Sequence, residues 1–343
     1  LPSEMKPARS RRLALVDAGA AGVISVSGEQ FDFPVYRRAI LSRPITWVER
    51  DKRADIEGVV SPQYMVALVT AAGGDWDKLR AAARSSDYAG QSLGLSANLD
   101  VESDVEPIRS NNIIGKIPGR KSGSGAVIFM GHWDHFGICR PEGAEDRICN
   151  GAVDNASGMA VLTEVAKRLG KGRFDRDIYF VGTTAEEYGL IGARAFAADP
   201  VVPLDQIMVV LNVDTVAIAP KGAKVAIIGR GKTDLDDDIE NVARKLRRKI
   251  EPSTDANAFL QRQDGWALTE KNVPALMVGG SFADLGKLDA FLKSDYHGPE
   301  DEVRDGIQLG GAAEDADLHV ELGRYFADTR KFKGKKPDKG TGE

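Results

Sequence analysis

Residues 127–154 read VIFMGHWDHFGICRPEGAEDRICNGAVD, and the reading of this stretch decides the fold. Residues 126–130 are an unbroken apolar run without polar alternation, which suits a strand buried on both faces. The run stops at Gly131 and presents His132, Trp133 and Asp134. A polar loop follows, and the chain returns through Gly151 to Asp154 at the mouth of a helix. In that helix Met159, Leu162, Val165, Ala166 and Leu169 recur with helical spacing. A histidine and an aspartate delivered from the same end of a strand–loop–helix unit suggest a metal site.

Working outward, strands and helices alternate downstream. Strands are expected at 177–182, 207–213, 224–228 and 273–278, and helices at 156–169, 190–198 and 235–250, with 318–326 in a closing helix. This alternation predicts an α/β fold with a mostly parallel mixed sheet sandwiched by helices. Upstream, 13–26 reads as a helix end, a Gly-rich turn and a strand at 22–26. Short strands are expected at 31–36 and 45–48, and helix at 61–83 with Gly73-Gly74 as a breaker. Residues 93–105 alternate as an exposed antiparallel strand does, 112–117 continue in that style, and 118–125 (PGRKSGSG) form a turn. The expected domains are 1–98 and 99–332, with 333–343 a disordered Lys- and Gly-rich tail.

A chain of 343 residues suggests roughly two domains. Apolar residues at 42% supply a sizeable core, and a net charge of −5 argues against a general nucleic-acid binder. No apolar run reaches the ~18 residues of a membrane span. Nothing in the sequence sets an oligomeric state. Cys139 and Cys149 bracket one loop: they are two free thiols, or a disulfide that implies an oxidising compartment.

In open α/β sheets ligands bind outside the carboxyl ends of the strands. There the first strand offers His132 and Asp134, and the loop back to its helix offers Asp154. The second strand leads to Glu186 and Glu187, the third to Asp214, and the last to a long loop with Asp295, Tyr296 and His297. Two cations ~3.5–4 Å apart can clamp both a water and an amide carbonyl. They need a shared carboxylate, a His and a carboxylate for each ion, and one unligated carboxylate as base. Mixed His and carboxylate ligation suits Zn²⁺, with Co²⁺ or Mn²⁺ as alternatives. Neighbours in sequence point differently, so one of Glu186 and Glu187 can bind metal while the other faces the water. Asp134 is spaced to sit behind His132 and fix its tautomer. His135 and His319 read as structural, with His135 close enough to be an outer partner. There is no H-E-x-x-H, no complete phosphate loop at 226–233 and no nucleophile elbow at 155–158.

The blocks GHWDHFG, NGAVDNASG, TTAEEYGLIGA, LNVD and SDYHGPED resemble, in order, the metal-site blocks of the co-catalytic di-zinc aminopeptidase family. That family includes secreted bacterial leucyl aminopeptidases and plasma glutamate carboxypeptidase. The resemblance covers about 112–328, and LALVDAGAAGVISV resembles the protease-associated domain inserted in many members, here a partial one. It implies Asp154 as the bridging carboxylate, His132 and Asp214 completing one zinc site, and Glu187 and His297 the other. It implies Glu186 as general base, Tyr296 as oxyanion stabiliser and a cis peptide after Asp154. The implied activity is an aminopeptidase acting on peptide substrates through a hydroxide bridging two zinc ions. Related dipeptidases, carboxypeptidases, glutaminyl cyclases and an inactive receptor-like domain are the alternatives. The family's secreted members imply a periplasmic or extracellular protein.

Two departures stand out. Members carry a strand and helix ahead of the insertion, whereas this chain opens inside it, which implies a C-terminal fragment. Many relatives carry Ser-Asp-His where this chain has Gln263, Asp264 and Gly265, so Asp264 keeps its expected place beside the site while its neighbours change.

Overall fold

The computed structural model describes residues 8–27, 33, 54–85, 87–102, 104 and 106–334. The strands expected at 31–36 and 45–48 and the tail beyond 334 lie outside the described residues, Phe33 apart. The chain divides into two units, Leu1–Ile108 and Arg109–Glu343, where the sequence reading put the join at 98/99.

In the first unit, helix α1 (Ala8–Asp17) precedes strand β1 (Gly22–Val26), which pairs in parallel with β2 (Ile56–Val60). Helix α2 (Pro62–Ala71) starts where the Ser61 side chain accepts the Tyr64 N–H and proline takes the first position. Gly73, at φ 74°, breaks the run before α3 (Trp76–Ala82), which Asp75 caps. The strand expected over 93–105 does not form: the described residues there are irregular. Leu95, Leu99 and Val101 are all exposed, so alternation without a neighbouring strand or a core to cover it leaves nothing to hold an extended segment.

The second unit is a six-stranded sheet. Its strands are β3 (Ile113–Ile117), β4 (Ala126–His132), β7 (Asp177–Thr183), β8 (Ile207–Asn212), β9 (Ala226–Ile228) and β10 (Ala275–Gly279), in the order β3-β7-β4-β8-β10-β9. The four central strands are parallel, while β3 and β9 run antiparallel at the edges. A small hairpin, β5 (Gly137–Ile138) with β6 (Ile148–Cys149), interrupts the loop after β4. The helices are α4 (Gly158–Leu169), α5 (Ile191–Ala198), α6 (Asp236–Lys245), α7 (Gly265–Thr269), α8 (Leu285–Ser294) and α9 (Leu309–Phe326). Helix α6 is shorter than the 235–250 expected because Arg247 adopts φ 59° and the chain turns back to bridge Val225.

Every residue of β4 is buried, and its alternation sorts them into two cores. Val127 and Phe129 pack with Val161, Val165 and Leu169 of α4 and with Leu318 and Leu322 of α9. Ile128 and Met130 pack with Ala193 and Phe196 of α5 and with Trp266 and Leu268 of α7. A strand covered on both faces therefore needs the unbroken apolar run that 126–130 supplies.

His319 of α9 lies in the first core with no exposure and donates Nδ1–H to the Asp315 carbonyl at 2.8 Å. Burial outweighs that bond and pulls its pKa down to about 4. The depressed value contributes stability that is complete above pH 6.5 and is lost as pH falls toward 4. Asp315, pushed up to about 6 by burial against the pull of Gly280 N–H and Arg248, acts in the opposite sense but is common to wild type and variant. Wild type should therefore lose about 3 kcal/mol relative to a His319→Leu variant between pH 7 and pH 4. Urea unfolding at steps across that range measures it, and parallel pH profiles would show that His319 is not buried and neutral.

Candidate metal centre

Strand order sets where side chains can meet. From β4 the chain passes to β7 on one side, and from β8 to β9 and then β10 on the other, so connections diverge between the adjacent strands β4 and β8. That divergence opens a crevice at their carboxyl ends. His132 is the last residue of β4, and Asp214 follows β8 by two residues.

Between β4 and α4 the segment Ala152–Ser157 leaves regular helix at Asp154 (φ −110°, ψ 88°) and Asn155 (φ −135°, ψ 33°), and the peptide joining them is cis. Two buried side chains hold this shape. Asp301 accepts the Val153 N–H at 2.8 Å and the Asp154 N–H at 3.0 Å. Asn155 donates to the Val213 carbonyl at 3.1 Å and accepts from Gly158 N at 3.0 Å and Thr215 N at 3.3 Å. It thus ties the ends of β4's loop and β8 to the start of α4. Gly158 is obligatory there: a Cβ would lie 2.1 Å from Asn155 Oδ1 and 2.5 Å from the Val213 carbonyl oxygen.

The result is a chain of contacts centred on Asp154. Its Oδ1 lies 3.2 Å from His132 Nε2, and Asp214 Oδ1 lies 3.7 Å from the same nitrogen. Its Oδ2 lies 3.4 Å from His297 Nε2, which is 3.0 Å from Glu187 Oε2. Cys139 and Cys149 are joined in a disulfide, and Cys149 Sγ sits 3.5 Å from the His297 carbonyl oxygen. The hairpin after β4 therefore abuts the loop that carries His297.

Asp134 is beside His132, but the contact at 3.0 Å comes from its main-chain carbonyl, which accepts the Nδ1–H. Its carboxylate is 3.9 Å from that nitrogen and accepts the Glu186 N–H at 3.2 Å. Either way the Nδ1 edge of the ring is engaged, and Nε2 faces Asp154 and Asp214. Asp264 is fully buried, accepts from Thr183 Oγ1 and is pushed up to about 7 by burial and the neighbouring carboxylates, against the pull of His132. Tyr296 stacks on His297 at 3.6 Å, and its hydroxyl accepts from Arg262 Nη2 at 3.3 Å. Burial, then the Asp154 and Glu187 charges, raise its pKa.

Charge is unevenly shared. Burial lowers the pKa of His132 and of His297, yet the carboxylates of Asp154, Asp214 and Glu187 override it, and His297 rises to about 9. Asp154 and Glu187 are correspondingly held low against burial. Glu186 goes the other way: burial and the Asp264 and Asp214 charges raise it against His132. Adjacent glutamates pushed apart are what an acid–base pair of roles requires.

A divalent cation fits this arrangement. Among the described residues, His132 Nε2 and Glu187 Oε1 are buried without an aligned hydrogen-bond partner. One ligand atom from each of His132, Asp154 and Asp214 lies within 4.8 Å of the others, and the same holds for His132, Glu186 and Glu187 and for His135, Asp154 and Glu187. Imidazole nitrogens mixed with carboxylate oxygens are a zinc-type donor set. Sequence reasoning gave no role to Asn155 or Asp301, although both lie within the blocks that carry the resemblance, and read His135 as structural or an outer partner.

Comparison with known proteins identifies the family. A family model for Peptidase family M28 matches residues 112–322, more than half of the chain. Aminopeptidase NAALADL1 of Mus musculus is 34% identical over 128 residues, 35% of this chain and 16% of the relative. A glutamate carboxypeptidase 2 homolog of Caenorhabditis elegans is 27% identical over 203 residues, 56% of this chain and 24% of the relative. The chain thus spans a quarter or less of the length of these two relatives. A zinc aminopeptidase from Bacillus subtilis shares the fold with a TM-score of 0.50 and 19% identity, over 66% of this chain and 52% of that one.

If Asp301 holds the Asp154 backbone as its contacts indicate, Asp301→Ala strands two buried N–H groups. That should cost about 2–4 kcal/mol of stability and weaken Zn²⁺ binding about 10–100-fold. Denaturant unfolding of the apo protein and zinc competition titration read the two effects, and unchanged zinc affinity would remove Asp301 from the metal site.

Proposed function

The chain belongs to Peptidase family M28, and from that premise we propose that it is a metal-dependent exopeptidase, an aminopeptidase that uses two zinc ions. His132, Asp154 and Asp214 would hold one ion, and Asp154, Glu187 and His297 the other. When bound, such ions polarise a scissile carbonyl and make water acidic near neutral pH.

The observation that carries the proposal is the division of labour between neighbouring glutamates. Glu187 is in contact with two imidazoles, at 3.0 Å from His297 and 2.6 Å from His135. Glu186 makes no side-chain hydrogen bond or ion pair among the described residues, and its environment favours a proton. Glu186 therefore suits the base: its carboxylate takes a proton from the attacking water and returns it to the leaving amine nitrogen. The Asp134 carboxylate orients it by accepting its N–H. Arg262 donates to the Tyr296 oxygen, which leaves the phenolic proton free to donate to a carbonyl oxygen as it gains charge. Asp264, buried beneath the site, adds to the negative field that keeps Glu186 protonation-prone.

The disulfide supports an oxidising compartment, periplasmic or extracellular. Residues 1–98 are proposed as part of a protease-associated domain with its helical connector.

Glu186→Gln should keep its zinc content and lose about 10²–10⁴ in kcat. Elemental analysis and steady-state kinetics on amino-acid nitroanilides test this, and a near-normal kcat would refute the base. Chelation should abolish hydrolysis, with added Zn²⁺ restoring it. A panel of free and N-blocked dipeptides then separates the aminopeptidase from the related carboxypeptidase activity, since only the former requires a free N-terminal amine.

A further inference from the structure

His135 has no part in the ligand scheme above, yet its surroundings are those of a site residue. Its side chain is 7% exposed, and its Nδ1 lies 2.6 Å from Glu187 Oε1. Neither ring nitrogen has an aligned hydrogen-bond partner among the described residues, nor does that Glu187 oxygen. The imidazole is boxed in by the Phe136 ring at 5.0 Å, the His297 ring at 5.9 Å and the backbone of Gly151. Gly151 adopts φ 67°, and a Cβ on it would lie 2.5 Å from His135 Cγ, so the chain needs glycine there for the ring to fit.

Spacing separates two roles for such an imidazole. Two ligands of one tetrahedral zinc at ~2.0–2.2 Å are separated by about 3.3 Å. The other imidazole–carboxylate contacts in the site run from 3.0 to 3.7 Å, which is ligand spacing. The 2.6 Å of His135 and Glu187 is shorter than that spacing and marks a direct contact between imidazole and carboxylate rather than two ligands of one ion. We infer that His135 is a positioning residue of the second metal position: its Nδ1 meets Glu187 Oε1 at contact distance and so commits Oε2 to the side where His297 lies. The inference rests on the two-cation reading of the site.

Zinc titration of the apo protein against a chromophoric chelator tests this in wild type, His135→Ala and His135→Gln, with thermal unfolding of each apo protein as a check on folding. Two equivalents are expected in wild type. His135→Ala should weaken one equivalent about 10–100-fold and leave the other unchanged. His135→Gln, whose amide can donate to Glu187, should recover most of that loss. Fewer than two equivalents in wild type would overturn the two-cation reading and take this role with it. Two equivalents at wild-type affinity in His135→Ala would overturn the role of His135 alone. Equal impairment of the Ala and Gln variants would also overturn it, since mere space-filling would then account for the residue.

Discussion

A carboxylate buried between two imidazoles is the constraint on which the rest of the site depends. Asp154 reaches His132 with one oxygen and His297 with the other. Isolated in an apolar interior such a charge would be costly, so its surroundings must supply both partners and fixed dipoles. Asp301 fixes the backbone on one side and Asn155 fixes it on the other. Both are themselves buried, and their hydrogen bonds fix the backbone from which the Asp154 side chain leaves. The irregular backbone at 154–155 is therefore the form that puts one carboxylate midway between groups arriving from separate segments.

The sheet turns this local arrangement into a rigid one. Strands β4 and β8 are buried on both faces, and the cores on either side contain the largest buried side chains of the unit, including Phe129, Phe326 and Ile128. Side chains packed at crystal-like density do not drift, so the strand ends act as fixed posts for His132 and Asp214. The loops that bring Asp154 and His297 have no such posts. They are braced against each other, through the disulfide-closed hairpin and through Asp301. The candidate site is thus made half from strand ends and half from braced loops.

Much of this was legible in the chain itself. The apolar run at 126–130, the alternation that follows it and the ligand-type residues at successive strand ends pointed to a layered α/β unit with a site on one edge. Those signals are local: burial on both faces dictates composition, and a strand's carboxyl end is a position in sequence as much as in space. The same logic misled at 93–105, where alternation was present but no partner strand covers it, because period-2 polarity says that a face could be buried and not that anything buries it.

What sequence alone determined about this protein is the architecture of its peptidase unit and the set of residue types available at the strand ends. Only the tertiary structure decided how those residues divide. It joined Cys139 to Cys149, gave the Asp134 carbonyl to His132 and its carboxylate to Glu186, and brought His135 to Glu187 and Asp301 to the Asp154 backbone. Each of these is a contact between groups whose chain separation carries no periodic signal, or a choice between two atoms of one residue. Such choices are made by a few tenths of an ångström and by which neighbour is already satisfied, and those quantities exist only once the chain has folded.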